Sequence, residues 1–278
     1  MVEGVTEADT VPGRLEATLH RRGLDHARVY NFGVVSSCFA QMSALVWSHL
    51  AALGPDALVI VGGGTDVTNP WTFDPRPGQP YNAFVIEQVY EYLFDTSRIS
   101  GHEAGLSYET LTDLLYRRLE RLRTECGWRP EAWEMAVIAS TRATIGRFSG
   151  LAATLNIPVF CVLQPTIVRS HPPHTNRSVA SEDFLAYLDR QYTRLQGALR
   201  ACSAGAHPHY RGLDFSGLFV DGAGSVFYDP AHYTESGRQI MAEALADEIV
   251  ATFAAKTRAA ARLRPLLRMG KILRSRGR

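Results

Sequence analysis

Two periods of hydrophobic and polar positions alternate along the chain. Short apolar runs, which are typical of strands, occur at 28–35, 57–61, 134–140 and 157–165. Apolar residues at helical spacing predict helices at 12–22, 42–53, 83–94, 108–126, 145–155, 181–202 and 235–255. Shorter extended pieces are predicted at 216–222 and 226–229, and the Pro- and Gly-rich stretch 68–82 is predicted to be a loop.

The order of these elements favours an α/β protein. Helices that connect parallel strands cover both faces of their sheet, so the pattern predicts a three-layer α/β/α fold around a parallel sheet. The sequence contains no internal repeat and no composition shift that would mark a second domain. We therefore predict one domain over 1–255, followed by a basic tail over 256–278.

The charge of the chain is small overall and uneven in its distribution. A net charge of +1 gives no reason to expect a nucleic-acid partner. The segment 256–278 has nine Lys or Arg residues and no Asp or Glu, and its basic residues alternate with Leu and Ile. That pattern fits a segment that lies on an anionic membrane surface, and it equally fits a solvated terminus.

Neither export nor a bound metal is indicated. The first ten residues lack the features of a signal peptide, and no apolar run is long enough to span a membrane. Because the cysteines are scattered, we expect reduced thiols and a cytoplasmic protein. If the basic tail binds an anionic membrane, the protein would be associated with that membrane surface. The histidines of two proline-bearing loops have no carboxylate or Cys near them in sequence, so we expect no metal and no other cofactor; these are His171, His174, His207 and His209.

The stretch "DPAHYTESG" at 229–237 places an acid and an imidazole three residues apart. An imidazole that a carboxylate orients is the usual general base for a hydroxyl nucleophile, which makes Asp229 and His232 candidate catalytic residues. The alternative is purely structural. Thr234 would cap the helix that begins at Glu235, and His232 would be a surface residue of the preceding loop.

Three blocks with these separations resemble the SGNH (GDSL-type) hydrolases. They are "VYNFGVVSSCFAQ" at 29–41, "PDALVIVGGGTDV" at 55–67 and "VFYDPAHYTESGRQIMAEAL" at 226–245. The resemblance covers nearly all of 10–250, and its most specific part is the third block. It implies a flavodoxin-like parallel sheet in the strand order 2-1-3-4-5.

The resemblance also implies roles for individual residues. His232 is the implied base, and Asp229 is its orienting partner. Ser36 and Thr65 fall where the family supplies its oxyanion hole, although the family has glycine and asparagine at these two positions. The other matched positions, implied to contact substrate, are Asn31, Gly33, Gly64 and Asp66.

A fourth block, which carries the nucleophilic serine of the family, is not found in 1–278. The resemblance places it before Thr10, on the first and interior strand of the sheet. We expect the nucleophile to be encoded upstream. The segment could instead come from another chain or have been removed, or the protein could have been remodelled into a non-catalytic form. Ser36, Ser37 and Ser140 could replace the nucleophile, but no nucleophile-elbow pattern surrounds them.

The function that these observations predict is serine-type ester hydrolysis or O-acyl transfer on a small-molecule or carbohydrate ester. A second class is a catalytically inactive binding or scaffold protein with the same fold. A third class is a flavodoxin-like module that binds a nucleotide or another small molecule at "GGGTD", although this stretch fits neither of the common phosphate-loop patterns. The sequence does not predict an oligomeric state.

Overall fold

The computed structural model describes residues 6–80, 83–94, 108–169, 180–219, 226–229 and 232–275, with the last helix described as backbone only beyond residue 255. Its helices are α1 (Val11–Arg21), α2 (Phe39–Ser48), α3 (Gly64–Thr72), α4 (Ala83–Phe94), α5 (Tyr108–Glu125), α6 (Glu131–Leu155), α7 (Glu182–Ser203) and α8 (Glu235–Ser275). Short 3₁₀ turns lie at Glu7–Asp9 and Leu50–Leu53.

The chain forms two compact units. One comprises the described residues of 1–32, 221–228 and 232–278, and the other comprises those of 33–220 and 229–231. We call them the helical unit and the sheet unit. The sequence predicts one domain over 1–255, and that boundary stays a prediction.

The sheet unit is built on three parallel strands. These are β1 (Leu58–Gly62), β2 (Val159–Leu163) and β3 (Tyr210–Asp214), and they pair in the order β1-β2-β3 within the described residues. The register pairs Ile60 with Cys161 and Cys161 with Gly212. The predicted α/β class with a parallel sheet is therefore confirmed.

The hydrophobic core of the sheet unit surrounds its central strand. Every residue of β2 is buried, as expected for a strand with a neighbour on each side and helices over it. The helices α6 and α7 pack against each other and against this strand. Their buried side chains include Phe148, Leu151, Tyr187 and Leu195, all at most 1% exposed.

The helical unit consists mainly of α1 packed on α8. Leu15 and Leu19 are buried one helical turn apart on α1, and Met241 and Leu245 repeat the same spacing on α8. Arg14 on α1 also forms an ion pair with Glu235 at 2.8 Å, at the start of α8. No helix in the described part of the chain is both long and apolar enough to cross a membrane.

Two strand predictions are wrong, and one strand of the structure is not predicted. Residues 28–35 form no strand; the amide of Val29 donates to the Glu16 carboxylate at 2.7 Å instead of to a neighbouring strand. Residues 134–140 lie inside α6. The sequence pattern does not predict β3, because "YRGLD" contains Arg, Gly and Asp and has no apolar alternation.

Candidate functional site

The loop 33–38 is tied to the first turn of α3 by side chains of that helix. The Asp66 carboxylate accepts the backbone N–H of Phe39, with its two oxygens 3.2 and 3.1 Å from that nitrogen. Asn69, one turn further along α3, donates its amide to the carbonyl oxygen of Ser36 at 3.2 Å. These bonds join the segments of Ser36 and Thr65, the two residues predicted to form the oxyanion hole.

Parallel-strand topology explains where this junction lies. The strand β1 ends at Gly62, Gly63 is the N-cap of α3, and the amides of Gly64 and Thr65 belong to the first turn of the helix. Ligands of open parallel sheets usually bind at the carboxyl ends of the strands. The positive end of a helix dipole at the same place favours negative charge.

Asp66 is enclosed in this junction. It is 6% exposed. Burial raises the pKa of its carboxyl to about 7, an effect that the backbone N–H donors of Phe39 and Gly63 partly oppose. The structure therefore gives Asp66 a structural bond from α3 to the start of α2, while its predicted contact with substrate stays a prediction.

Ser36 adopts a left-handed backbone conformation, with φ of 58°. Glycine reaches this conformation without the steric cost that other residues incur. For a serine the cost is about 1 kcal/mol. Both Ser36 and Thr65 are half-buried, so part of each is accessible from solvent.

The other matched positions differ in exposure. Gly64 is buried, and a Cβ at this position would lie 2.8 Å from Nε2 of Gln164, so the Gln164 side chain covers it. Asn31 and Gly33 are exposed. Asn31 and His232 belong to the helical unit, whereas the other matched positions, Gly33, Ser36, Gly64, Thr65, Asp66 and Asp229, belong to the sheet unit.

Backbone hydrogen bonds join the described residues on either side of positions 230–231 in the Asp-x-x-His stretch. Phe227 and Tyr233 form an antiparallel bridge, and the N–H of Tyr228 donates to the carbonyl of His232 at 2.8 Å. The hydroxyl of Thr234 accepts the N–H of Gly237 at 3.4 Å, so the predicted helix cap is present. The cap and a catalytic role for His232 are compatible, because the cap uses Thr234 alone.

His232 itself is exposed, and Asp229 is half-buried. A polar cavity of about 540 Å³ adjoins this loop in the helical unit. Its lining residues are Arg14, Tyr228, Thr234, Glu235, Ser236 and Gln239. Orientation of His232 by Asp229 stays a prediction.

The structure also places the other two candidate serines and the neighbouring Cys38. Ser37 is buried and Ser140 lies within α6. Burial and the nearby Asp66 raise the pKa of the Cys38 thiol, which disfavours a reactive thiolate. No group of His, Cys, Asp and Glu within the described residues could hold a metal ion, and 171–174 lie outside those residues.

Sequence reasoning misses Asn69. The Pro and Asn residues of 68–82 predict a loop, whereas α3 extends through Pro70 to Thr72. The i, i+3 spacing of Asp66 and Asn69 places both on one face of a helix, but only once a helix is known to be there.

Comparisons with known proteins leave the family open. No protein-family model matches the chain, and no curated protein matches it. Among solved structures the chain is similar to LAE5, an alpha/beta hydrolase enzyme from the metagenome of Lake Arreo, Spain, at 13% identity and a TM-score of 0.40 over 86% of this chain and 82% of that chain. The α/β class of the protein rests on its own strand pairing, independently of this similarity.

Proposed function

We propose that the protein hydrolyses an ester bond, or transfers an acyl group, with a small-molecule or carbohydrate ester as substrate. The observation that carries the proposal is the link between the loop 33–38 and the first turn of α3. An oxyanion hole needs donors from separate segments held in one place before the reaction starts. The bonds from Asp66 and Asn69 supply such a fixed arrangement around Ser36 and Thr65.

In the proposed reaction the chain supplies a general base and hydrogen-bond donors to the oxyanion. His232 accepts the proton of the attacking hydroxyl, and Asp229 orients the imidazole and stabilises its cation. The hydroxyl belongs to a serine, as in the SGNH resemblance, or to water when no such serine is present. The backbone N–H of Ser36 and the N–H or hydroxyl of Thr65 donate to the developing oxyanion.

Collapse of the tetrahedral intermediate releases the alcohol of the ester. The bond from the carbonyl carbon to the leaving oxygen breaks, and His232 returns its proton to that oxygen. When water is the nucleophile the acid product forms in this one step; when a serine is the nucleophile the acyl group stays on the serine, and water or an acceptor hydroxyl, deprotonated by His232, removes it through a second tetrahedral intermediate. The exposure of His232 supports this role, because a base that exchanges protons with substrate must be reachable from solvent.

Hydrolysis of p-nitrophenyl acetate tests the proposal. We expect saturable hydrolysis above the buffer rate, because general-base catalysis by His232 adds to the roughly 10³-fold acceleration that binding and an oxyanion hole give without a base. Thr65→Val should lower kcat by on the order of 100-fold, the typical effect of losing one oxyanion donor. His232→Ala should lower kcat at least tenfold, since general-base catalysis contributes roughly 10²-fold or more.

Matched controls separate these effects from general damage. His26→Ala removes another exposed imidazole, and Thr154→Val removes another threonine hydroxyl, on the exposed side of α6. Both should leave kcat unchanged. Hydrolysis at the buffer rate, or a rate that His232→Ala leaves unaltered, would contradict the proposal and favour a non-catalytic binding protein.

A further inference from the structure

A stack of aromatic rings and guanidinium groups lies at the turn between α5 and α6, outside the predicted ester site. Tyr187 stacks on Trp71 with ring centroids 4.4 Å apart. The Arg129 guanidinium lies 4.5 Å from the centroid of Trp71 and 4.2 Å from that of Trp128. Arg123 lies 4.1 Å from the centroid of Trp128, so this ring contacts two cations.

Arg129 is held in this stack at a cost in backbone strain. Its φ of 82° lies in the left-handed region, which residues other than glycine rarely adopt. Such strain costs on the order of 1 kcal/mol or more, and it persists where the surrounding structure fixes the residue. Strained residues of this kind cluster at binding sites and active sites.

Among the described residues, two groups of the stack, the Trp128 indole N–H and the Arg129 guanidinium, lack a partner that other groups of the stack have. The indole N–H of Trp128 is buried and has no partner there. Arg129 forms no ion pair with a described carboxylate, whereas Arg123 pairs with Glu120 at 2.8 Å. A guanidinium whose face lies on an aromatic ring keeps its N–H edge available for a bidentate acceptor.

A cavity of about 400 Å³ lies beside the stack. Trp71, Trp128, Phe184 and both arginines line it, together with Ser181, the N-cap of α7. The first-turn acids of α7, Glu182 and Asp183, are exposed and are not among the lining residues. The lining therefore combines apolar rings with positive charge.

We propose that this cavity binds a small carboxylate carried on a ring. The carboxylate would accept N–H groups from Arg129 in a bidentate pair. The ring would lie against Phe184 and the indole rings. This volume is at the lower end of the range for small-molecule sites, which fits a single ring with its acidic group.

Binding can be followed through the indole N–H resonances of the protein, titrated with benzoate. The peak of Trp128, assigned by its loss in Trp128→Phe, should shift saturably. The peak of Trp47, a half-exposed residue of α2, serves as an internal control and should stay in place. Benzamide, which has the same shape without the charge, should bind at least tenfold more weakly, a loss of about 1.4 kcal/mol or more.

Two variants test the role of the guanidinium. Arg129→Gln should weaken benzoate binding at least tenfold, and Arg129→Gly should do the same while relieving the backbone strain at that position. Arg121→Gln, at an exposed position of α5, should have no effect. An unshifted Trp128 peak, equal affinity for benzamide, equal affinity for inorganic phosphate, or unchanged binding by both Arg129 variants would each overturn the proposal.

Discussion

At the scale of single residues, the buried carboxyl of Asp66 lies at the junction of β1 and α3, next to the predicted ester site. A buried carboxylate is costly unless donors surround it, and here the donors are backbone N–H groups rather than a cation. Burial is the larger effect, so the folded protein holds the proton to about pH 7. The nearby Cys38 thiol has a raised pKa and stays neutral over the same range.

Asp66→Asn should make stability less dependent on pH. The unfolded carboxyl loses its proton near its ordinary pKa of 3.8, whereas the folded one keeps it to about pH 7. Between these values the folded state binds more protons, so the free energy of unfolding falls as pH rises, by up to about 1.4 kcal/mol per pH unit. Denaturant unfolding of both proteins at about pH 5 and about pH 7 measures this difference.

The variant should lose less stability than the parent protein over that interval. Asp56→Asn, at an exposed carboxyl, is the control and should follow the parent protein. Parallel stability curves for the parent protein and Asp66→Asn would show that the Asp66 carboxyl is already ionised in the folded state below pH 5.

At the scale of elements, the junction of β1 and α3 depends on three consecutive glycines with different surroundings. A Cβ at Gly62 would lie 2.7 Å from the buried Phe39 ring. A Cβ at Gly63 would lie 2.4 Å from a Leu163 methyl, and the φ of 95° there is strained for any other residue. A Cβ at Gly64 meets the end of the Gln164 side chain, which can rotate away.

Alanine substitutions should separate these three cases. Gly62→Ala and Gly63→Ala should each lower the free energy of unfolding by about 1–3 kcal/mol, the usual cost of overpacking a core. Gly64→Ala should cost less than about 1 kcal/mol, because the flexible end of a half-buried side chain absorbs the change. Chemical denaturation of the three variants gives the ranking, and a Gly64→Ala loss as large as that of Gly63→Ala would refute it.

Some helices and strands can be predicted from the sequence pattern and others cannot. Helices with a clear apolar stripe and a stop signal are predicted well, as for α1, which ends just before Gly23 with φ of 86°. The apolar run 134–140 resembles a strand because a short run cannot distinguish a strand from a buried helix. Its continuation through Ile145 and Phe148, both at most 1% exposed, keeps helical spacing.

Tertiary context decides the remaining differences. The run 28–35 has β-favouring residues, but Tyr30 and Val35 are 75% and 70% exposed, so it has no buried face to stabilise a strand. The strand β3 forms because it pairs with β2 in the core, and its Gly212 fits where a Cβ would lie 2.2 Å from the Ser203 hydroxyl. Long-range pairing of this kind is not encoded in local periodicity.

At the scale of the whole molecule, contacts between segments far apart in sequence are the hardest to predict. Asp66 and Phe39 are 27 residues apart in sequence, and local periodicity does not predict the hydrogen bond between them. The stack around Arg129 has no family motif, and its parts come from α3, α7 and the turn after α5. Sequence reasoning therefore could not find it.

The proposed ester hydrolysis requires His232 and Thr65 to act on the same ester. A double-mutant cycle tests it most directly, with kcat for p-nitrophenyl acetate measured for the parent protein, His232→Ala, Thr65→Val and the double variant. Catalysis by an oxyanion hole persists when the base is lost, so both single variants should lower kcat and Thr65→Val should lower it again in the His232→Ala background. No loss in either single variant, or no effect of Thr65→Val once His232 is replaced, would contradict this requirement.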